Sequence, residues 1–263
     1  MARTIIGIIL VLAIFAGLGT LGWYLVNERI RSQPAYILSA GNVRVSPPPD
    51  WVPEQFVEDT LNSSGLNKTG SLLDKTLPQK LAETFAAYPW VEKVEQVVLR
   101  YPSGADVKLS YRTPTALVEL PQRGVVPVDH NGVLLPMEYL SDSTADRLRE
   151  HLIIQGIQST PPGFAGAPWG DPSVQTAAQL AEALSDIAKP LKLTRIVPVA
   201  ESMLAGTRIV CRLKTGGGTE FLWGSFVPDD PKTEAKKKKL WDLHERFRTL
   251  DNVPVDFRDL SKE

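Results

Sequence analysis

Apolar residues form one continuous run near the start of the chain. Ile5–Val26 comprises 22 residues without a charged side chain. A helix of this length reaches about 33 Å at about 1.5 Å per residue, enough for a hydrocarbon core of about 30 Å. Trp23 and Tyr24 stand near its end, where aromatic side chains favour the membrane interface. The run predicts a single N-terminal transmembrane helix within residues 1–27, preceded by a short cytoplasmic tail.

Two alternatives to this anchor stay open. A cleaved signal peptide has a shorter apolar region of about 7–15 residues, and the nearest small-residue site, Ser39–Ala40, lies far downstream. A buried helix of a soluble domain normally shows a polar surface face, which this run lacks. Arg3 on one side nearly balances Arg29 and Arg31 on the other, so the flanking charges favour neither orientation strongly. The simplest prediction places the N-terminus in the cytoplasm and the bulk of the chain in the periplasm or cell exterior.

After a polar linker, 28–35, the periodicity predicts a first domain over 36–114. Its order is strand, helix, helix, strand, strand. The elements are strand Tyr36–Ser46, helix Pro53–Leu61, a helix after Thr76, and strands Val91–Tyr101 and Ala105–Tyr111. Thr76 and Gln79 have the spacing of a capping box at the start of the second helix. A tight turn joins the last two strands as in a hairpin, and the second of them, Ala105–Tyr111, alternates strictly between apolar and polar residues.

The remaining residues, 115–263, predict a second domain with a mixed β-sheet and flanking helices. The strands are Thr115–Leu120, Gly124–Asp129, Val133–Leu135, Leu193–Ala200, Thr207–Lys214, Thr219–Trp223 and Val253–Arg258. Asp171 followed by Pro172 predicts the start of one helix, and Glu234–Leu250 predicts a basic amphipathic helix. The fold class predicted for the whole chain is α+β.

Composition excludes some classes of function. The chain has 29 Lys and Arg against 30 Asp and Glu, a near-balance that argues against nucleic acid as the main partner. The single cysteine, Cys211, lies in a strand pattern and predicts a small core residue rather than a disulfide. The three histidines have no metal-pair spacing, so neither a metal nor a cofactor is expected.

Three local patterns have both a chemical and a structural interpretation. Asp129–His130 resembles part of a catalytic pair, but it directly precedes the turn signal Asn131–Gly132, which favours hairpin chemistry. Gly216–Gly218 follows a strand without the residues of a phosphate loop, which favours a turn. The run Lys236–Lys239 fits either an anionic partner or a solvated helix face, and we favour the solvated face.

The strand predicted at the C-terminal end has a further possible role. A strand at a sheet edge exposes N–H and C=O groups that can pair with a partner strand. The candidate partner-binding residues are Val255, Asp256, Phe257, Arg258, Asp259 and Leu260. The alternative is an interior, covered strand.

Several short motifs stand in a fixed order along the chain. The first is a run over the last part of the first domain, with Pro89, Trp90, Val91, Arg100, Pro102, Arg112 and Pro114. Asp129 and Gly132 follow in a hairpin, and Trp223–Gly224, the helix through Lys236, and Val255–Arg258 come near the C-terminal end. The strand–helix–helix–strand–strand unit is similar to a POTRA domain. The ordered set resembles the FtsQ/DivIB family of bacterial cell-division proteins, whose corresponding motifs are "PWV…V.R.yP…R.P.A", "vD..G.v", an "lG" turn, a lysine-bearing helix and an "iDLR" strand.

The resemblance implies a scaffold rather than an enzyme. Members of the family are bitopic proteins of the cytoplasmic membrane with a POTRA domain and a β-domain outside it. They bind the FtsB–FtsL coiled-coil pair and help regulate septal peptidoglycan synthesis. Phe257 stands where the family usually has leucine, and the residues that follow the strand, Ser261–Glu263, are fewer than is usual in the family.

These observations predict a non-catalytic divisome scaffold that binds an FtsB/FtsL-like pair by strand addition. One alternative is a POTRA-type binding module in envelope protein transport. Another is an anchored envelope hydrolase that uses Asp129 and His130.

Overall fold

The chain divides into two compact units, Met1–Tyr111 and Arg112–Glu263. We refer to them as the first and the second unit. The structure is a computed structural model, which describes residues 15–24, 33–121, 124–141, 150–161, 163–203 and 206–261. It is α+β with two mixed sheets, one of three strands and one of six. The α+β class is therefore confirmed.

The predicted transmembrane helix is the part of the fold class that is wrong. Residues 5–14 and 25–26 of the predicted span lie outside the described residues, and residues 15–24 form a helix, α1. Among the described residues, no helix has the length and apolar character needed to cross a membrane.

The first unit has the predicted order of elements with one short helix, Leu66–Thr69, added between the two predicted helices. Strand β1 (Val43–Val45) is followed by helices α2 (Phe56–Ser64), α3 (Leu66–Thr69) and α4 (Leu77–Ala86), and then by strands β2 (Val91–Arg100) and β3 (Gly104–Tyr111). The strand order is β1-β3-β2, with β1 parallel and β2 antiparallel to β3. Phe56 of α2 is buried in the core, where the centre of its ring lies 6.4 Å from that of Phe85 in α4 and 5.9 Å from that of Tyr111 in β3.

Two details of the first unit differ from the prediction. Strand β1 is only three residues long because the preceding segment pairs elsewhere: Leu38 N–H donates to Gly70 O and Leu72 N–H to Tyr36 O. The capping box at Thr76 does not form. Instead Asp74 accepts from both the N–H and the hydroxyl of Thr76, at 2.9 and 2.7 Å.

The second unit is built on the six-stranded sheet, in the order β5-β4-β6-β7-β8-β9. The strands are β4 (Ala116–Leu120), β5 (Gly124–Val128), β6 (Leu152–Ile154), β7 (Leu193–Met203), β8 (Gly206–Thr215) and β9 (Glu220–Gly224). The helices are α5 (Glu138–Ser141), α6 (Pro172–Ala183), α7 (Ser185–Ala188) and α8 (Pro231–Phe247). Strand β6 is parallel to both β4 and β7, and the other pairs are antiparallel.

The core of the second unit lies between this sheet and its helices. Buried side chains of α6, such as Val174 and Leu180, belong to one apolar cluster with Trp223 of β9 and Leu240 of α8. The N-cap predicted at Asp171 is confirmed, because its carboxylate accepts from Ser173 N–H at 2.8 Å.

The strand predicted over residues 133–135 makes only isolated bridges. Leu134 bridges Val128 of β5, and Val133 bridges Pro168. These residues therefore run along the outer edge of β5 without forming a strand of their own.

Candidate functional site

The motifs near the C-terminal end of the sequence come together on one surface of the second unit. We call this surface the C-terminal face and define it as β9, α8 and residues 253–261. Leu260 and Val253 are fully buried at the two ends of the terminal segment and anchor it in the core. Val255 and Phe257, between these anchors, are 74% and 40% exposed.

A bulge at the end of β9 receives a buried lysine. The register between β8 and β9 shifts between Cys211 and Arg212, and Gly224 takes the left-handed φ of 85° that favours glycine. Lys236 Nζ donates to the Trp223 carbonyl at 2.7 Å and lies 5.1 Å from the centre of the Trp223 ring. Lys236 is 8% exposed, so its amine is part of the core between α8 and β9.

The four-lysine run therefore has a structural role that neither interpretation of the sequence included. Lys237 forms ion pairs with Asp186 of α7 at 2.8 Å and with Glu234 at 3.2 Å. Burial lowers the pKa of Lys237, but these two carboxylates outweigh it and hold the pKa above its ordinary value. Lys239 Nζ lies 3.5 Å from the Asp259 carbonyl, and Lys238 is exposed. The prediction of a solvated face is thus wrong for most of the run. Its side chains bond α8 to β9, α7 and the terminal segment.

The terminal segment is not the strand that the alternation predicted. Val255–Phe257 is a 3-10 turn, and the pairing with β9 is a single parallel bridge between Leu222 and Asp259. Leu222 N–H donates to Arg258 O at 2.9 Å, and Leu260 N–H donates to Leu222 O at 2.8 Å.

Two residues explain why the strand fails. Pro254 has no N–H for a ladder, and its carbonyl accepts from Phe257 N–H at 3.1 Å to close the turn. Arg258 Nε donates back to the Val253 carbonyl at 2.7 Å. Val255, Asp256 and Phe257 therefore project as a loop, and Arg258 to Leu260 run beside β9.

Aromatic and basic groups surround this loop. The Phe257 ring lies 6.1 Å from that of Phe247, the last residue of α8. The Arg246 guanidinium lies 5.2 Å from the Phe247 ring and 5.3 Å from the Phe257 ring, within the range of cation–π contacts. A partly exposed apolar surface beside guanidinium groups is a combination that recurs in protein–protein interfaces.

The Asp129 hairpin is an internal support of the second unit. Asp129 is fully buried, and Arg112 Nη1 donates to its Oδ2 at 2.6 Å. Its Oδ1 accepts from the N–H groups of Asn131 and Val133, each at 2.9 Å. All of these bonds lie inside the fold, so the carboxylate is not placed to accept a proton from a substrate. The geometry supports the hairpin interpretation of Asp129–His130.

Gly132 completes this hairpin. It adopts a φ of 70°, and a Cβ there would lie 3.2 Å from Gln175 Cα of α6. Pro114 lies between Arg112 and β4, before the sheet begins.

The family-motif residues of the first unit lie in and around its hairpin. Pro89 follows α4 and precedes Trp90, which is 2% exposed, and Val91, the first residue of β2. Trp90 is therefore a packing residue of the first unit. Arg100 pairs with Asp106 at 3.0 Å, and Pro102 lies in the turn between β2 and β3.

The other candidate chemical groups are also internal. Burial raises the pKa of the Cys211 thiol to about 12, so it stays protonated at neutral pH. Within the described residues, no three His, Cys, Asp or Glu side chains are grouped to hold a metal ion.

The triple-glycine turn lies against a carboxylate of the chain itself. A Cβ on Gly217 would overlap the Asp251 carboxylate, which also accepts from the Thr215 hydroxyl. Gly218 N–H donates to Thr215 O at 3.1 Å, which supports the interpretation of Gly216–Gly218 as a turn. Sequence reasoning missed the contact between Thr215 and Asp251, because the two residues are brought together only by the fold.

No protein-family model matches the chain. No curated protein matches it with significant similarity either.

Proposed function

We propose that the protein is a non-catalytic scaffold of the bacterial division machinery, similar to the FtsQ/DivIB family, acting at the outer side of the cytoplasmic membrane. In this proposal it captures an FtsB/FtsL-like coiled-coil pair at the C-terminal face by strand addition. Through that contact it helps regulate septal peptidoglycan synthesis.

One observation carries the proposal. Trp223–Gly224, Lys236 and the Val255–Leu260 segment belong to three separate elements and lie together on the C-terminal face. These are the three features that resemble the family's C-terminal motifs. Ser261 packs against Gly224, where an added Cβ would come within 2.9 Å of Ser261 Cβ, so the segment and the bulge fit one another closely.

In this proposal the partner strand adds at this edge of the second sheet, where the terminal segment itself makes a single bridge to β9 between Leu222 and Asp259. Val255 and Phe257 next to it supply exposed apolar contacts. The guanidinium of Arg246 adds positive charge beside them, which favours a partner segment with apolar and acidic residues.

Val255→Lys tests the docking face without disturbing the core, because Val255 is 74% exposed. We expect the variant to fold normally and to lose co-purification with its coiled-coil partners. Phe164→Lys is the matched control, since Phe164 is 72% exposed in a different loop of the same unit. Equal capture of partners by wild type and Val255→Lys would contradict the proposed face.

Removal of residues 253–261 is a poor test of docking. Val253 and Leu260 are fully buried, so their loss opens the core of the second unit as well as the edge. A fluorescent fusion in the native cell tests the function itself. Enrichment at division sites is expected, and a uniform envelope signal would contradict it.

A further inference from the structure

The outer edge of β2 differs from both edges of the second sheet. In the second sheet, β5 is bridged by Leu134 and β9 by Asp259. Strand β2 lies at the end of the first sheet, and among the described residues no strand or isolated bridge continues that sheet beyond it. An edge of ten residues offers a long row of backbone groups for pairing.

The two halves of β2 are not equally suited to accept a strand. Register shifts interrupt its pairing with β3 between Val91 and Lys93 and again between Val94 and Gln96. Such bulges are a common protection of sheet edges. From Gln96 to Arg100 the pairing runs without interruption.

Side chains in this regular half alternate cleanly between the two faces of the sheet. Val97 and Leu99 lie opposite the buried Val107 and Ala105 and are partly buried. Gln96, Val98 and Arg100 lie on the other face and are exposed, and Val98 is 44% exposed. A β-branched apolar residue at the centre of an open edge is an unusual choice where charged residues normally prevent pairing.

The segment is complementary to itself when it is turned antiparallel. With a twofold axis at Val98, that residue faces its own copy, and Gln96 faces Arg100 of the second copy. Val97 then faces Leu99 of the second copy on the partly buried face. The amide oxygen of Gln96 can accept from the guanidinium, and no like charges face one another across the five positions.

We propose that Gln96–Arg100 pairs with the same segment of a second copy of this chain, joining two three-stranded sheets into one six-stranded sheet. The partner is a second copy of the chain because the polar, apolar and charged residues of this segment match those of an identical segment turned antiparallel. The inference does not depend on the proposed function, since it concerns the first unit only.

Site-specific cross-linking of the full chain tests the register. Helix α1 exposes Phe15, Leu18 and Leu21, so the protein is handled in mild detergent. Directly opposed residues in an antiparallel pair have Cα atoms about 4.5–5.5 Å apart, within the range of disulfides. Val98→Cys is therefore expected to form a disulfide-linked dimer under mild oxidation. Native Cys211 is fully buried and does not compete.

A pair of single variants makes the test specific. Gln96→Cys and Arg100→Cys each face a different residue of the second copy, so neither is expected to cross-link efficiently alone. Mixed together, they are expected to form a heterodimeric disulfide. Similar yields for Val98→Cys and Gln96→Cys alone would overturn the proposed register.

Sedimentation of Val98→Lys tests the pairing without a cross-link. In its own sheet the new lysine lies opposite the carboxylate of Asp106, an arrangement of opposite charges that favours the fold. In the dimer the same lysine faces the lysine of the second copy. We expect the dimer dissociation constant to rise more than about tenfold. Leu73→Lys, a substitution at a 41% exposed position outside the strand, is expected to leave it unchanged. A wild-type chain that stays monomeric, or a dimer unaffected by Val98→Lys, would overturn the inference.

Discussion

Removing the charge of Asp129 measures how much its buried pair with Arg112 stabilises the second unit. The Asp129 side chain is fully buried and that of Arg112 is 15% exposed, so water screens their attraction little. Asp129→Asn keeps the size of the side chain but replaces one oxygen with an NH2 group. One oxygen of Asp129 accepts from the guanidinium and the other accepts from two backbone N–H groups. In either orientation of the asparagine amide, its NH2 group would face one of these sets of donors and could not accept from it.

The expected loss in the free energy of unfolding is about 3–5 kcal/mol, the usual cost of removing one partner of a buried ion pair. Urea denaturation followed by tryptophan fluorescence measures it. Hydrogen exchange at the amides of Asn131 and Val133 locates the effect, because both donate to Asp129. A double-mutant cycle with Arg112→Met isolates the coupling energy between the two side chains.

Lys214 and Glu220 provide the matched control in the same unit. Their ion pair has a similar distance, 2.7 Å, but their side chains are 29% and 44% exposed. The coupling energy of this pair is expected to stay below about 1 kcal/mol. If Asp129→Asn costs less than about 1 kcal/mol, or if both cycles give equal couplings, the argument from burial is refuted.

Three further predictions concern the second unit and one control glycine. Gly217→Ala is expected to destabilise the β8–β9 turn, because the new Cβ would overlap the Asp251 carboxylate. The Cβ of Gly41→Ala meets no atom within 4 Å, so this control should leave the melting temperature nearly unchanged. Equal shifts in melting temperature for Gly217→Ala and Gly41→Ala would contradict the steric argument. Asp171→Ala is expected to cost about 1 kcal/mol at neutral pH through the lost N-cap. Burial raises the pKa of Asp171, but hydrogen bonds from Ser159 and Ser173 outweigh it and hold the pKa below its ordinary value. This stabilisation is fully present above the unfolded pKa of Asp171 and is lost as pH falls through its folded pKa. The difference in unfolding free energy between the variant and wild type should therefore shrink in acid. A difference that stays constant with pH would contradict this origin. Alkylation of Cys211 should require unfolding, given a buried thiol with its pKa raised to about 12, and rapid labelling of the native protein would disprove that burial.

Local patterns were sufficient for the elements whose signals lie within a few residues. The hairpin of β2 and β3 follows from alternation around a short turn, and the start of α6 follows from Asp171 and Pro172. Strand β6 could not be predicted in this way. It has three residues, too few for a periodicity, and is extended because β4 and β7 pair with it on both sides.

The terminal segment shows why alternation alone can mislead. Val253 to Arg258 has the pattern of a strand, yet Pro254 and the bond from Arg258 to the Val253 carbonyl curl it into a turn. The family resemblance singled out the helix through Lys236 and the terminal segment as motifs. It did not predict that the amine is buried on the Trp223 carbonyl, because hydropathy places lysine at the surface.

The short strand β6 also has a consequence for the kinetics of folding. It joins the β4–β5 hairpin on one side to the β7–β8–β9 meander on the other. Both of these assemblies form from neighbouring segments, whereas β6 must find Ala116 on one side and Arg195 on the other across long stretches of chain. Closing such loops is entropically costly before any contact compensates for it. We therefore expect the docking of three residues, Leu152–Ile154, to be the slow event that turns two separately formed halves into one sheet.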